Sequence, residues 1–466
     1  TAARQMQFEF SLDCRFFLEI AKLRAARRLW YRVVEASGGT PDSARMRIHA
    51  RTGRRVQTAR DPWVNMLRNT ATCFAASAAG VQSITTDPFD AQIGRPDAFS
   101  RRIARNTQIV LNEESHLARV LDPAGGSHFI EKTTDVLAEK AWALFQDIER
   151  AGGMAACLKS GDIAERIEVV HSKRATEIAV RKQPITGVTE FPNVREKSVE
   201  KTPVNLNSLR RDAAVRLEHE KERSRRGSSS AAAGQAESGA SLAQAIENLQ
   251  QGARSAFTEP ADRDARREPG PGRPGMLLNA ATQAMIAGAS VGEVFQAAFG
   301  EFTKPESIPA PIAPRPFAEP FEAMRDASDR AERSGAGRPK VFLANMGPLA
   351  QHNARATFAQ NFFEIGGFDV LTNNGFESAD AAAEAFRESG AKIAVICSSD
   401  PLYEEFVPTV APKLKAAGAR TVVLAGGFGD HEQAWRDAGV DKNIFLKCNV
   451  LEILGDLLAD EGVEVE

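Results

Sequence analysis

Between Ala344 and Ala356 the chain reads ANMGPLAQHNARA. The stretch follows an apolar run, Val341-Phe342-Leu343, and precedes a helical pattern, which is where an open α/β domain keeps its ligand loop. A ligand loop carries acids, bases or phosphate-binding glycines. This one offers Gly347, then Pro348, Leu349, Ala350 and Gln351, and only afterwards an imidazole, His352. Two more loops at expected strand ends hold small residues, Ser398-Ser399 and Gly426-Gly427. Small residues at strand ends also simply end parallel strands. The run Gly426–Gly429 is no dinucleotide fingerprint, because its spacing is wrong and it follows a late strand. Nearer the N-terminus, His49 sits in a strand-like stretch. Glu113-Glu114 resembles a carboxylate pair, but adjacent helix residues face different ways. The five cysteines (Cys14, Cys73, Cys157, Cys397, Cys448) are odd in number and lack CxxC or Cys/His spacing, so they read as reduced core or near-core thiols of a cytoplasmic protein.

The elements that must position these residues fall into three stretches. From the start to about residue 160, strand and helix signals alternate. Met6–Leu12, Ala44–Ala50, Val81–Thr86 and Leu117–Pro123 read as strands, each followed by an amphipathic helix. Such βα repeats argue for parallel strands with crossover helices, and four of them are half of a (β/α)8 barrel. Residues 205–338 read as a linker: a charged helix, a Ser/Ala/Gly-rich run at 227–240, further helices, and a Pro-rich extended segment. From Pro339 the α/β pattern returns, with about five strands of the size of a flavodoxin-like doubly wound domain. Net charge is -2, with 59 Lys+Arg against 61 Asp+Glu, which suits neither nucleic acid nor an anionic membrane as a partner. No apolar run approaches the roughly 18 residues of a membrane span.

Phe16–Trp30, Ser100–Ser115, Val120–Lys132 and Ala138–Met154 resemble the acyl-CoA-binding barrel of methylmalonyl-CoA mutases. Gly337–Gly347 and the residues after it resemble the cobalamin-binding domain of the same family. The resemblance covers roughly 1–195 and 339–462; the linker matches loosely. It implies the C-terminal half of a (β/α) barrel at 1–204, a helical and low-complexity linker at 205–338, and a flavodoxin-like, cobalamin-binding-like domain at 339–466. The first residue is Thr, and the chain is expected to be truncated at its N-terminus. The half barrel is expected to show four βα units and an apolar, uncovered inner face.

Active members of the family use adenosylcobalamin to interconvert methylmalonyl-CoA and succinyl-CoA through radicals; the protein binds, orients and shields. Their cobalamin loop reads K-M-G-x-D-G-H-D-R-G, in which His coordinates cobalt and Asp holds the other imidazole nitrogen. The loop here aligns without a gap. Asn345 replaces the Lys, Leu349 the Asp, Gln351 the cobalt-ligating His and Ala354 the last Gly. The resemblance therefore implies no metal ligand; His352, one position on, reads as a surface residue. Degenerate cofactor-binding candidates are Gly347, Ser398, Ser399, Gly426 and Gly427. In the barrel half, Gln5 and Gln7 replace an R-x-S pair, Arg51 a Gln, Asp42 a Lys, Thr72 a Glu and Thr85 a His. His49 and Asn65 persist as substrate-binding candidates, and Arg68 is kept. His128 replaces an aromatic and reads as packing.

Some mutases of this family are heterodimers whose smaller chain has the same two-domain fold and no cobalamin. The resemblance implies that this chain is of that kind: no catalytic residues, no cofactor of its own, and a large catalytic subunit carrying adenosylcobalamin as partner. Two alternatives belong to other classes, an active mutase with unusual cobalt ligation and a stand-alone CoA-ester binding module.

Overall fold

A computed structural model describes residues 2–197, 199, 201, 205–231, 241–258, 274–300, 312 and 314–465. The chain forms two compact units, one of Thr1–Thr202 with Pro309–Glu466 and one of Pro203–Ile308.

The first unit opens with a parallel sheet of β1 (Gln7–Leu12), β2 (Arg47–Thr52) and β3 (Ser83–Thr85) in that order. Helices α1 (Phe16–Ala36) and α2 (Val64–Ala78) make the crossovers. Alternation along the strands sends Leu12, Ile48 and Ala50, with the partly buried Phe8 and Phe10, to one face. That face packs against Ile20 and Leu23 of α1 and Ala75 and Ala76 of α2. Next come α3 (Ala98–Ile109), α4 (His128–Arg150), α5 (Met154–Ser160) and α6 (Asp162–Ala179).

Three expectations are corrected here. The fourth strand, Leu117–Pro123, is instead a 3-10 turn at Leu117–Arg119. His116 and Asp122 lie in the left-handed region at φ 53° and 46°, which breaks extended backbone at both ends of the segment. Arg24 fixes the turn by pairing with Asp122 and, at 2.6 Å, with Glu131. Second, the uncovered sheet face is polar. It presents Gln7, Glu9, Ser11, His49, Arg51, Ser83 and Thr85, because the apolar positions of these strands all point to the helices. Third, His128 is exposed at the start of α4 and packs into no core.

The second unit holds α7 (Leu206–Ala231), α8 (Leu242–Thr258), α9 (Pro274–Ile286) and α10 (Val291–Phe299). Helices α8 to α10 close around Ala245, Leu249, Ala284 and Ala289. Helix α7 continues to Ala231, into the Ser-rich run; 232–240, 259–273 and 301–311 lie outside the described residues.

The chain re-enters the first unit through α11 (Glu319–Arg333), which falls in the stretch read as linker and packs here on the last helix of the chain. Then come β4 (Lys340–Asn345), α12 (Leu349–Ile365), β5 (Asp369–Leu371), α13 (Ala379–Ser389), β6 (Ile393–Cys397), α14 (Asp400–Ala416), β7 (Thr421–Ala425), α15 (Glu432–Asp437), β8 (Lys442–Ile444) and α16 (Val450–Asp460). The sheet is all parallel, in the order β5-β4-β6-β7-β8. Every residue of β6 and β7 is buried, as continuous apolar runs in a doubly covered sheet require. One face packs on α11, α12 and α16, the other on α13 and α14. Among the described residues no helix is long and apolar enough to cross a membrane. All five cysteines are free; four are buried and Cys14 is exposed.

Candidate functional site

At the C-terminal ends of β4, β6 and β7 three loops meet. The β4–α12 loop is pinned from both sides. The Met346 amide donates to the Cys397 carbonyl at 2.8 Å, and the Ser398 hydroxyl donates to the Met346 carbonyl at 3.1 Å. The segment after β5 laps over the same loop, with the Gly347 amide donating to Phe376 O at 3.0 Å and the Phe376 amide to Asn345 O at 2.7 Å. Asn345 is fully buried; its amide nitrogen donates to Asn373 O at 3.1 Å, and its side-chain oxygen has no partner. Gly347 has φ +80°, a left-handed conformation that favours glycine.

Pro348 is extended and α12 starts at Leu349. Successive residues of a helix turn by about 100°, so neighbours in this first turn meet different surroundings. Leu349 is 61% exposed, and Gln351 and Ala354 are also exposed. His352 is 1% exposed, which corrects its reading as a surface residue. It lies beneath the 373–376 segment, and neither ring nitrogen has a hydrogen-bond partner.

The small-residue loops after β6 and β7 meet around one side chain that the sequence reading passed over. The Tyr403 hydroxyl accepts from the Ser398 amide at 3.1 Å and donates to the Ala425 carbonyl at 2.7 Å. Its ring is buried, and a Cβ built on Gly426 would stand 3.0 Å from it. Burial pushes its hydroxyl well above the usual tyrosine range, and likewise the Cys397 thiol above the usual cysteine range. Ser399 caps the start of α14 without a side-chain bond, and Gly427 is open. Arg355 and Asp400 form a 2.7 Å ion pair between α12 and α14. A signal for Tyr403 was present: helical side chains lean toward the N-terminus, so a tyrosine in the first turn after Ser398-Ser399 leans back over the strand ends.

The two substrate-binding candidates are not brought together. His49 faces the uncovered side of the three-stranded sheet, its ring nitrogens 2.8 Å from Ser83 Oγ and 3.0 Å from Thr85 Oγ1. Asn65 is buried in α2. Its amide nitrogen donates to the carbonyls of Thr58 and Phe89, each at 2.8 Å, and its oxygen accepts from the Thr58 amide and from Arg68. All its hydrogen-bonding capacity is spent on holding two loops. Arg68 likewise donates to Thr58 Oγ1 and Thr186 O. At the C-terminal mouth of β1 and β2 a cleft of about 880 Å³ is lined by Ser11, Arg51, Arg54, Arg55, Glu168 and His171, among others. Arg51 and Arg54 share the buried Asp87 at 3.5 and 3.3 Å. Among the described residues no three His, Cys, Asp or Glu side chains cluster as a metal site would need.

The family model for methylmalonyl-CoA mutase matches residues 1–304. A protein of Streptomyces virginiae described as methylmalonyl-CoA mutase small subunit is 38% identical over 99% of this chain and 58% of its own length. A probable methylmalonyl-CoA mutase small subunit of Mycobacterium tuberculosis is 33% identical over 99% of the chain and 58% of its own length. The methylmalonyl-CoA mutase small subunit of Propionibacterium freudenreichii subsp. shermanii is 32% identical over 96% of the chain and 54% of its own length. The chain thus spans somewhat more than half the length of the curated relatives it matches. With well over half of its residues under that model and these identities along nearly all of it, the chain belongs to the methylmalonyl-CoA mutase family.

Proposed function

We propose that this chain is a non-catalytic small subunit of a methylmalonyl-CoA mutase, and that a large partner subunit carries adenosylcobalamin and interconverts methylmalonyl-CoA and succinyl-CoA. The names of the relatives support the two-chain arrangement, since a small subunit implies a large one. In this reading residues 1–204 are half of an acyl-CoA mutase barrel, 205–338 a linker, and 339–466 a flavodoxin-like domain of cobalamin-binding type. The sheet order β5-β4-β6-β7-β8 supports the last assignment, because it is the flavodoxin order 2-1-3-4-5. The protein would work in the cytoplasm.

One observation carries the reading. The first turn of α12, where the family places its cobalt ligand and the acid behind it, exposes Gln351 and Leu349. A Gln amide is a poor cobalt ligand, and Leu349 has no acceptor to orient one. The nearby imidazole of His352 is turned under Gly375. The residues present do not suit a base-off corrinoid. Loss of the supporting acid alone typically costs about 10–100-fold in metal affinity.

The test is a visible-spectrum titration with adenosylcobalamin, run beside a pull-down of the full-length protein. We expect the wild-type chain and Gln351→His to stay colourless, and the protein to co-purify with a cobalamin-bearing mutase chain. Stoichiometric binding by the wild type would refute the proposal and favour an active mutase with unusual ligation.

A further inference from the structure

We propose that Tyr403 closes the slot in which the aryl nucleotide tail of a corrinoid would lie, so that the domain is shut by a filled cavity as well as by the loss of a cobalt ligand. The inference rests on reading the five-stranded domain as cobalamin-binding-like. In that reading the small residues after β6 and β7 flank the tail.

Three observations support it. The phenol stands between the two loops, and its hydroxyl bonds to both, to the Ser398 amide at 3.1 Å and the Ala425 carbonyl at 2.7 Å. The ring fills the space between them, since a Cβ on Gly426 would approach it to 3.0 Å. Behind it lies an aromatic wall: Trp435 meets Tyr403 edge-on at 6.2 Å, and Phe428 meets Trp435 at 6.4 Å. Ser398 ties this assembly to the β4–α12 loop through Met346 O. One side chain therefore supplies what a planar aryl ligand would supply there, a flat apolar filler with a polar tip joining two strand ends. Residues as small as Ser398 and Gly426 cannot fill that volume, and without the phenol they would border a hole. The consequence is that rebuilding the cobalt-ligand triad alone leaves the slot occupied.

The experiment uses the full chain and two probes. The first is 5,6-dimethylbenzimidazole, the base of the cobalamin tail, followed by thermal shift and equilibrium dialysis. Tyr403→Ala should bind it and gain thermal stability, while wild type and Tyr403→Phe should do neither. The second probe is adenosylcobalamin, followed by its visible spectrum. The Leu349→Asp/Gln351→His/Ala354→Gly variant should stay colourless with Tyr403 in place and bind at least tenfold more tightly once Tyr403→Ala is added. A folded Tyr403→Ala that takes up no benzimidazole would overturn the inference, and so would a triple variant that binds equally well with or without Tyr403. Either result leaves the proposed function standing, whereas binding by the wild type would remove that reading itself. If Tyr403→Ala does not fold, Tyr403→Leu carries the same test. If neither folds even with benzimidazole present, the ring is an indispensable part of the core and the plug is refuted.

Discussion

His352 Nε2 lies so close beneath Gly375 that a Cβ built on the glycine would stand 2.7 Å from it. Gly375 also has φ +105°, where a side chain is strained whatever the space. Gly375→Ala should therefore cost about 1–3 kcal/mol from backbone strain alone. The histidine behaves in the opposite sense. Both its nitrogens are buried without partners, and an unmet buried polar group costs about 1–3 kcal/mol. His352→Leu should be neutral or stabilising in urea denaturation, unlike most core substitutions. A clear loss of stability would show that the ring nitrogens are bonded in solution.

Arg325 is 1% exposed and donates to Gly187 O at 3.2 Å, Asn193 O at 2.6 Å and Glu196 at 3.5 Å. It anchors α11 to the 187–196 loop. Burial holds its guanidinium below the usual arginine range, with Glu196 acting against that shift. Arg325→Met would leave the Gly187 and Asn193 carbonyls without this donor, while Glu196 keeps Arg60 and the Asp61 amide, and each unmet buried polar group costs about 1–3 kcal/mol. Arg325→Lys should rescue little, because a single ammonium nitrogen cannot span acceptors that two guanidinium nitrogens reach. Chemical denaturation of the three proteins decides it; a loss well under 1 kcal/mol for Arg325→Met would count against the anchor.

Glu322 accepts from the amides of Ala59 and Arg60 at 2.6 and 3.0 Å. Burial nevertheless pushes its carboxyl above the ordinary 4.5, against the pull of those two amides. The folded chain thus keeps this proton to higher pH than the unfolded chain. Its contribution is fully present below about pH 4.5 and is lost as pH rises through the folded pKa. Asp329 runs the other way. Burial would raise it, but Arg60 and Arg338 together hold it below 3.8, so its contribution exists above that value and is lost as pH falls through the folded pKa. Glu322→Gln, which retains an acceptor for both amides, should flatten the fall in stability above pH 4.5 and leave the acid limb set by Asp329 in place. Unchanged curvature in a pH series of melting temperatures would contradict this.

Ser290 caps α10 by accepting from the Glu293 amide at 3.3 Å, while the Glu293 carboxylate accepts from the Ser290 amide at 2.7 Å. Ser290→Ala should cost about 1 kcal/mol. Amide exchange should rise across α8 to α10, which share one small core, and stay unchanged at β6 and β7. Uniform exchange changes along the chain would be inconsistent with two separate units.

The parts of the fold that were legible are those in which local pattern and burial agree. Ile393–Cys397 and Thr421–Ala425 are apolar throughout because both sheet faces are covered. Leu117–Pro123 misled because it is a short apolar run bounded by turn residues, yet its backbone is set by left-handed residues at 116 and 122 and by the pairing of Arg24 with Asp122, a partner 98 positions away. The strand-then-helix pattern located the β4–α12 loop, and the resemblance to the mutases supplied the reading of what that loop lacks. It could not place His352, since whether a residue in a first helical turn is covered depends on the 373–376 segment folding over it. Asn65 stood as a substrate-binding candidate because the resemblance to the mutases keeps it at that position, and only the three-dimensional neighbours show its bonds already used.

The polar face of the three-stranded sheet bears on what can be laid against it. Barrel interiors are ordinarily dry stacks of branched aliphatic side chains. A surface of Glu9, Ser11, His49, Arg51, Ser83 and Thr85 can make no such stack. Anything that encloses it must bring hydrogen-bonding partners or leave water in place, and cannot form a second dry core there. The apolar packing that holds β1 to β3 therefore comes from their helix side, while the other side adds only polar links such as His49 to Ser83 and Thr85. That leaves the other side, with Gln7, Arg51 and Thr85, free to change its residues without loss of this apolar packing.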